Sequence, residues 1–308
     1  MRTERGFSVV ELLVAAAVLM TVCGAVLGLL YRGLAATPVL EETTDLHQRA
    51  RVASAAFAAD ARAAAAGTAD GPLTRLIAPA EPRGPLDPPG STAGGVITFR
   101  HAVPRGAVGR LAQPLTPADT IAILEAAGCP TGTTACGFTA GSRALILDVA
   151  GLAAFITIDA IGPGTLAILD PPGGRAATLA AGAVVVEATE VTYTFDSPSR
   201  QLRRTEGGGT FVVADNVVDA SFAFLGEGLL QLPPGAFQDG PFLGAGQLAF
   251  DADLRRVRVV RATLRLETGV DDMRGTDPRL FARPGTARGA FTIADVQAVV
   301  DVALRNVG

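Results

Sequence analysis

The feature that most constrains this chain is a run of nineteen uncharged residues from Leu12 to Leu30. A helix of that length rises roughly 28 Å at ~1.5 Å per residue, which is enough to cross the hydrocarbon layer of a membrane. Arg2 and Arg5 precede the run and Arg32 follows it. Positive charge ahead of a span favours a cytoplasmic N-terminus, although Arg32 weakens the asymmetry. We therefore expect a membrane anchor, with the rest of the chain outside the cytoplasm.

Two residues near this run distinguish it from a generic anchor. Gly6 lies between the charged leader and the apolar block, whereas a secretory signal is cut after its apolar segment. Glu11 places a carboxylate inside the block, and such a group at bilayer depth costs on the order of a few kcal/mol unless it has a partner. The alternatives are a secretory signal cut near Leu34-Ala35-Ala36 and an uncut single-pass anchor. Neither accounts for Glu11.

The stretch Gly6-Phe7-Ser8-Val9-Val10-Glu11-Leu12-Leu13-Val14 resembles the N-terminal signal of type IV pilins and type II secretion pseudopilins. The resemblance implies that a prepilin peptidase cuts after Gly6 and that the new terminal residue, Phe7, is methylated. It also implies that Glu11 pairs with the terminal amine of a neighbouring subunit. Such a pair is physically favourable, because cleavage creates a cationic amine at Phe7 and the Glu11 carboxylate, an anion in an apolar bundle, is stabilised only by a partner of opposite charge.

The helical pattern continues after the anchor, from Asp45 to Ala66, where Ala and Arg dominate. Pro38 is expected to bend or interrupt the helix, because it removes a backbone donor, and Gly67 is the expected stop. Four charged residues are expected outside its apolar face: Arg49, Arg51, Asp60 and Arg62. The chain thus divides into a leader (residues 1–6), a transmembrane and assembly helix (7–31), its continuation (32–67) and a β-rich head (68–308).

The head contains most of the 36 Gly and 20 Pro residues of the chain, which favours short strands between turns. The segment from Thr68 to Gly95 predicts a long loop. Strands are predicted at Val96–Arg100, Thr120–Leu124, Ala144–Val149, Ala154–Ile158, Leu166–Leu169, Ala183–Phe195, Gln201–Thr205, Thr210–Val213, Val217–Leu225 and Leu254–Thr268.

Residues 191–224 resemble W-type minor pilins of type IV pili and J-type minor pseudopilins of type II secretion. The shared order is an aromatic strand at Val191–Phe195, a Leu-Arg-Arg strand, an Ala-x-Asn-Val turn and a second aromatic strand. The ending from Val302 to Gly308 also resembles W-type chains. The segment from Thr292 to Asn306 fits a helix by its apolar spacing, whereas this resemblance favours a strand. The fold expected is α+β, a long helix packed on a mainly antiparallel periplasmic domain.

Cys129 and Cys136 bracket a short loop without His, Asp or Glu, and their spacing is not that of a zinc or thioredoxin motif. The pair predicts a disulfide, which stabilises by ~2–3 kcal/mol in the chain-entropy description and indicates an oxidising compartment. The alternative is two unpaired thiols. Cys23, within the apolar run, is interpreted as a small hydrophobic residue.

The sequence contains none of the common catalytic motifs, so no enzymatic activity is expected. Gly207 to Gly209 predict a hairpin turn rather than a phosphate cradle, because no helix with a Lys follows. His47 and His101 are expected at the surface, since neither has a neighbouring His. The arginines of Leu254–Thr268 predict a solvated strand face. A net charge of -4 gives no electrostatic footprint for nucleic acid.

Three carboxylates, Asp271, Asp272 and Asp277, lie in a Gly-containing loop after a predicted strand. Calcium favours flexible, oxygen-rich loops, and some pseudopilins bind calcium in comparable loops. The spacing is not that of an EF-hand and Arg274 opposes a cation, so a solvated loop is the alternative. No other metal and no cofactor is expected.

The resemblance implies a structural role, as a minor pilin or pseudopilin that primes or caps a type IV pilus or type II pseudopilus. The implied partners are the prepilin peptidase, other minor subunits, the major subunit and inner-membrane lipid. The implied location is the inner membrane with a periplasmic head, and then the filament tip. The alternative is a single-pass periplasmic adhesin or ligand-binding module that does not polymerise. Pilus extension, protein secretion and DNA uptake remain open.

Overall fold

The computed structural model describes residues 8–64, 77–78, 95–103, 105–116, 118–126, 129, 133–147, 153–169, 178–232, 242–243, 250–251, 257–287 and 292–303. Within these residues, one α-helix, α1 (Val9–Ala63), is followed by fifteen strands. The strands are β1 (Ile77–Ala78), β2 (Val96–Ala102), β3 (Val108–Arg110), β4 (Ile121–Ile123), β5 (Arg143–Leu147), β6 (Ala153–Gly162), β7 (Thr165–Ile168), β8 (Val184–Asp196), β9 (Gln201–Glu206), β10 (Gly209–Ala214), β11 (Val217–Leu225), β12 (Phe242–Leu243), β13 (Phe250–Asp251), β14 (Val259–Leu266) and β15 (Val296–Ala303).

The chain divides into two compact units. The first comprises Met1–Gln48 and Glu267–Asp295, and the second comprises Arg49–Leu266 and Val296–Gly308. The helix α1 therefore contributes residues to both units. The expected loop from Thr68 to Gly95 and the stop at Gly67 lie almost wholly outside the described residues, apart from β1 and Gly95.

The second unit is built on antiparallel sheets. Its largest sheet has ten strands and centres on β8, which pairs with β2 and β3 along one side and with β5 and β9 along the other. A smaller sheet has the order β11-β14-β15. The protein is therefore α+β, with an N-terminal apolar helix and a mainly antiparallel β-sheet domain, as predicted at this level.

The packed part of α1, Arg49–Ala63, meets the sheets through Phe57. The Phe57 ring lies 5.4 Å from that of Phe99 on β2, 5.5 Å from that of Tyr193 on β8 and 5.5 Å from that of Phe222 on β11. Since β11 belongs to the smaller sheet, this one side chain joins both sheets to the helix. Small buried residues around it, Ala53 and Ala61, let the helix lie close to the strands.

A second core cluster lies on β3 to β8. It is composed of buried aliphatic side chains and the disulfide loop, including Leu111, Ile146, Ile156, Ile158, Leu166, Val185 and Cys136. Burial alternates along β14, where Val260, Ala262, Leu264 and Leu266 are buried and the intervening residues are half-buried. The predicted half-buried antiparallel strand is confirmed over Val259–Leu266, where Arg261 and Arg265 occupy the half-buried positions, whereas residues 254–256 of the predicted strand lie outside the described residues.

Two expectations about local structure need correction or completion. A bend or an interruption was expected at Pro38; the helix α1 continues through this residue, so the interruption is wrong. Because proline has no backbone N–H, Pro38 leaves the Leu34 carbonyl without its helical donor. One residue earlier, the Thr37 hydroxyl donates an additional hydrogen bond to the Gly33 carbonyl at 3.2 Å. The segment with helical spacing near the C-terminus is instead a strand, β15, which pairs with β14 over eight residues.

Candidate functional site

The first part of α1, Val9–Tyr31, is the most unusual surface of the protein. These 23 residues are long and apolar enough to cross a membrane, and none of them is buried. Large side chains such as Leu12, Met20 and Leu29 are 66–75% exposed. A core helix of a soluble fold would be covered by its own chain, whereas the described residues leave this segment uncovered.

Ser8 and Glu11 form a reciprocal capping arrangement at the start of this segment. The backbone N–H of Ser8 donates to Glu11 Oε2 at 3.0 Å, and the backbone N–H of Val10 donates to the Ser8 hydroxyl at 3.3 Å. This is a variant of the capping box, in which the hydroxyl accepts from the second helical residue rather than the third, and it satisfies two of the donors that a helix N-terminus leaves unpaired. The Glu11 carboxylate therefore points back toward the N-terminus of the chain.

The Ser-x-x-Glu spacing of this box is visible in the sequence, but the family resemblance implied only contacts between subunits for Glu11. The structure adds a role within the chain, in which positive partial charge at the helix start stabilises the carboxylate. Gly6 and Phe7, the expected cleavage and methylation residues, lie outside the described residues.

The packed end of α1 carries a polar anchor that was not predicted from the sequence. Asp60, expected on the outer face, accepts hydrogen bonds from Arg204 on β9 (Nε–Oδ2 2.7 Å, Nη2–Oδ1 3.0 Å) and from the Tyr193 hydroxyl on β8 (2.6 Å). Arg204 also donates to Glu206 at 2.6 Å. A bidentate guanidinium–carboxylate pair holds both groups in one plane, so it sets the position of the helix along the sheet.

The contacts with Asp60 raise the pKa values of Tyr193 and Arg204. Burial, together with the hydrogen bond to Asp60, holds the pKa of Tyr193 far above its ordinary value. The hydrogen bond to Asp60 raises the pKa of Arg204 as well. Asp60 and Arg204 keep only 13% and 21% of their side-chain surface exposed, so the pair is shielded from solvent more than a surface ion pair. Of the other charged residues expected on the outer face, Arg51 and Arg62 are exposed, as predicted, whereas Arg49 is half-buried and its Nη1 lies 3.3 Å from Asp215 Oδ1.

In the first unit, α1 is held by the segment that follows β14. Glu42 accepts hydrogen bonds from the Thr268 hydroxyl at 2.9 Å and from the Gly269 backbone N–H at 2.8 Å. The neighbouring Glu267 is fully buried and forms ion pairs with Arg274 and Arg283. Opposite charges therefore compensate each other inside this segment, as buried charges require.

The acidic loop does not assemble a cation site. Asp271 is paired with Arg274, and Asp277 Oδ1 accepts the backbone N–H of Arg279 at 2.9 Å. Within the described ranges, no group of three or more His, Cys, Asp or Glu side chains is close enough to hold a metal ion. The geometry therefore favours the solvated-loop interpretation for Asp271, Asp272 and Asp277.

The predicted disulfide is present between Cys129 and Cys136, with Cα atoms 4.4 Å apart. Cys136 is buried beside Gly109 of β3, where a Cβ on that glycine would come within 3.1 Å of Cys136 Sγ. The loop is thus attached to the larger sheet. Cys23 is free and exposed on the apolar part of α1, and His47 is exposed as expected.

Comparisons with protein-family models, with curated protein sequences and with solved structures find no match to this chain. The functional proposal therefore depends on the N-terminal residues and on the geometry of α1.

Proposed function

We propose that this chain is a minor pilin or pseudopilin, a structural subunit that primes or caps a type IV pilus or a type II secretion pseudopilus. A prepilin peptidase removes residues 1–6, and Phe7 becomes the methylated terminus. The mature helix is held in the inner membrane and then among the helices of neighbouring subunits. The head remains on the periplasmic side.

The observation that carries the proposal is an uncovered apolar helix that begins with a carboxylate. The chain buries no part of Val9–Tyr31, and Glu11 stands on its first turn. Lipid satisfies the apolar surface but not the charge, because an ion at bilayer depth is costly. A neighbouring subunit that brings a terminal amine satisfies both, and it also gives register to the assembly.

The size of the head supports a minor position. The chain has 308 residues, of which α1 takes 55. A bulky head obstructs close helix packing along a filament but not at its tip. The role is therefore to start or terminate the filament rather than to repeat along it.

Intact mass of the membrane-extracted chain tests the processing step. We expect a mature protein that lacks six residues and begins with N-methylated Phe7. A chain that retains Met1, or one cut after the apolar segment, contradicts the proposal and favours the non-polymerising anchored module.

A Glu11 series tests the assembly step, because the capping box separates two effects. Glu11→Gln keeps an acceptor for the Ser8 N–H but removes the charge, whereas Ser8→Ala keeps the charge and removes the hydroxyl. We expect Glu11→Gln and Glu11→Leu to lower incorporation into sheared filaments at least about tenfold, as loss of an ion pair in an apolar site implies. Ser8→Ala should change it little.

Membrane insertion is the control, and it should be unchanged or improved in Glu11→Leu. Normal incorporation of Glu11→Gln would show that the carboxylate acts only as a helix cap. If Ser8→Ala, which removes only a capping contact, lowers incorporation as much as Glu11→Gln does, the effect also belongs to the helix cap and not to pairing between subunits.

A further inference from the structure

The short turn Thr134–Gly137, called the left-handed turn below, has an unusual backbone conformation. Ala135, Cys136 and Gly137 follow one another with φ of 47°, 58° and 89°. Glycine adopts such values freely, but a Cβ makes them unfavourable for alanine and cysteine, and left-handed residues normally occur singly. A backbone conformation of this kind persists only where the surrounding structure imposes it.

Main-chain hydrogen bonds do not impose this conformation. Among the described residues, the left-handed turn makes no backbone hydrogen bond to a strand. The Phe138 N–H donates to the Ala135 carbonyl at 3.1 Å, which closes the turn on itself. Two other constraints remain. One is the disulfide from Cys136 to Cys129, and the other is the burial of Ala135, Cys136 and Phe138 in the core cluster on β3 to β8.

The strand β3 is shaped to receive the disulfide. Gly109 faces inward from the middle of this strand, between the exposed Val108 and Arg110. A Cβ on Gly109 would lie 3.1 Å from Cys136 Sγ, so the sulfur occupies the space that a side chain would need. The strand pairs with β8 over three residues only. It therefore has little support of its own once the turn leaves it.

The aromatic core around Phe57 does not depend on this turn. The Phe57 ring packs on the rings of Phe99, Tyr193 and Phe222, and none of these four rings belongs to the cluster around Cys136. Loss of the turn therefore weakens one core and leaves the other in place. Segments held by few hydrogen bonds open locally, at a lower free energy than complete unfolding.

We propose that the Cys129–Cys136 disulfide is a redox lock on the core of the ten-stranded sheet. In the oxidised chain, the bond holds the left-handed turn against β3. Reduction removes this constraint, so the turn relaxes and the core around Leu111 and Phe138 is exposed, while the aromatic core around Phe57 stays packed. The lock belongs to the head and does not depend on whether the chain joins a filament.

The lock opens by thiol–disulfide exchange with a dithiol. Cys129 is only partly buried, whereas Cys136 is 1% exposed, so Cys129 Sγ is the sulfur that is attacked. A thiolate of the dithiol bonds to it, the Cys129–Cys136 bond breaks, and Cys136 leaves as a thiolate that takes up a proton. The second thiol then displaces Cys129, and the dithiol ends as a disulfide. Closing is the reverse, with two electrons passing to an external disulfide such as that of glutathione.

Hydrogen exchange of the full chain in detergent tests the lock. The chain is measured oxidised, after reduction with dithiothreitol, and after re-oxidation with glutathione disulfide, and its mass after alkylation reports the reduced fraction. We expect the amides of β3 and of residues 134–138 to exchange at least about tenfold faster after reduction, and to slow again on re-oxidation. The amides of β14 are the internal control and should exchange at an unchanged rate.

Alkylation of Cys136 by iodoacetamide gives a second measurement that needs no reductant. Cys129→Ser leaves Cys136 as a free thiol, and its labelling rate is compared in detergent alone and in denaturant. We expect the native rate to lie within about tenfold of the denatured rate. Adding Val260→Cys, at a fully buried position of β14, gives the matched control. That thiol should stay protected at least about 100-fold.

Four results would overturn the lock. A Cys136 thiol that stays protected in Cys129→Ser would show that burial alone holds the turn. Equal loss of protection on β14 would show that the disulfide supports the whole head rather than one core. Exchange that stays fast after re-oxidation would show irreversible opening. A bond that dithiothreitol breaks only in denaturant would show that the folded chain does not respond to its redox surroundings.

Discussion

The two ends of α1 belong to one helix of 55 residues, but they meet different surroundings. Val9–Tyr31 is rich in leucine and valine, and none of it is buried. Arg49–Ala63 is mostly alanine and arginine, yet Ala53, Phe57 and Ala61 are fully buried. Apolar character therefore does not by itself place a segment in the core of its own chain. In Arg49–Ala63, small residues around the Phe57 ring fit against the sheets. The helix surface of Val9–Tyr31 is apolar on all sides, and the described residues leave it uncovered.

Removing one large side chain from each end of α1 tests most directly whether the two ends contribute differently to the stability of the head. Phe57→Ala should lower the free energy of unfolding of the head by about 3–5 kcal/mol, since it empties the contact that joins helix and both sheets. Leu19→Ala, on the apolar end, should change it by no more than about 0.5 kcal/mol. Denaturant unfolding of the full chain in detergent measures both. Val52→Ala, exposed on the packed part, is the control, and equal losses for Phe57 and Val52 would contradict the packing described.

The polar anchor of the packed end should have the next largest effect. Asp60→Asn keeps the shape of the side chain but removes the charge that Arg204 faces, so a loss of about 2–3 kcal/mol is expected. Arg62→Gln, exposed on the same helix, should be nearly neutral. The same unfolding measurement applies, and similar values for the two variants would show that the bidentate pair contributes nothing net.

The cysteines test the same difference, because Cys129 and Cys136 form a disulfide in the head whereas Cys23 is free on the apolar part of α1. The double variant Cys129→Ser with Cys136→Ser should lose about 2–3 kcal/mol, because the unfolded chain regains the freedom of the closed loop. Cys23→Ser should leave the head unchanged. Mild reduction should reproduce the double variant in the natural chain. An unfolding transition insensitive to reductant would contradict this expectation.

The smallest effect at neutral pH is expected for Tyr193→Phe, about 1–2 kcal/mol for one lost hydrogen bond to a carboxylate. Its pH dependence is more specific. The folded pKa of Tyr193 is raised from an ordinary value of about 10, so the folded chain keeps a proton that the unfolded chain releases. Its contribution is complete below pH 10 and is lost as the pH rises further.

The phenylalanine variant should therefore lose less stability than the natural chain above pH 10. All 26 basic residues counted as Lys or Arg are arginine, and the other tyrosine of the two is Tyr31, in the apolar segment. The difference between the two proteins in an alkaline unfolding series thus isolates Tyr193. Identical alkaline slopes would show that the phenol is not protected in the folded state.

Much of the secondary structure could be predicted, because hydrophobic period and turn residues act locally. The Gly-rich turn between β9 and β10 and the alternation of β14 are examples. The segment of β15 is the counterexample. Val296, Val299 and Val300 fit a helical face, but each residue of Val296–Ala303 has a partner on β14. A neighbouring strand supplies hydrogen bonds that no local pattern contains, and that pairing decides the conformation.

The candidate site divides in the same way. Ser8 and Glu11 are three residues apart, so their capping arrangement is a local property. Asp60, Tyr193 and Arg204 come from separate parts of the chain, and their contact depends on how α1 lies on β8 and β9. The helical periodicity of the sequence predicted that Asp60 faces solvent, because a carboxylate is normally exposed.

The sequence by itself determined a long apolar helix with a carboxylate at its start and a strand-rich head, and it predicted the disulfide loop that the structure contains. These follow from length, charge and turn chemistry, which need no knowledge of distant neighbours. The tertiary structure alone decided that Asp60 anchors the helix to the sheet, and it decided between helix and strand for the C-terminal segment. Each of these depends on hydrogen-bond partners far apart in the chain, and such partners are known only once the sheets have formed.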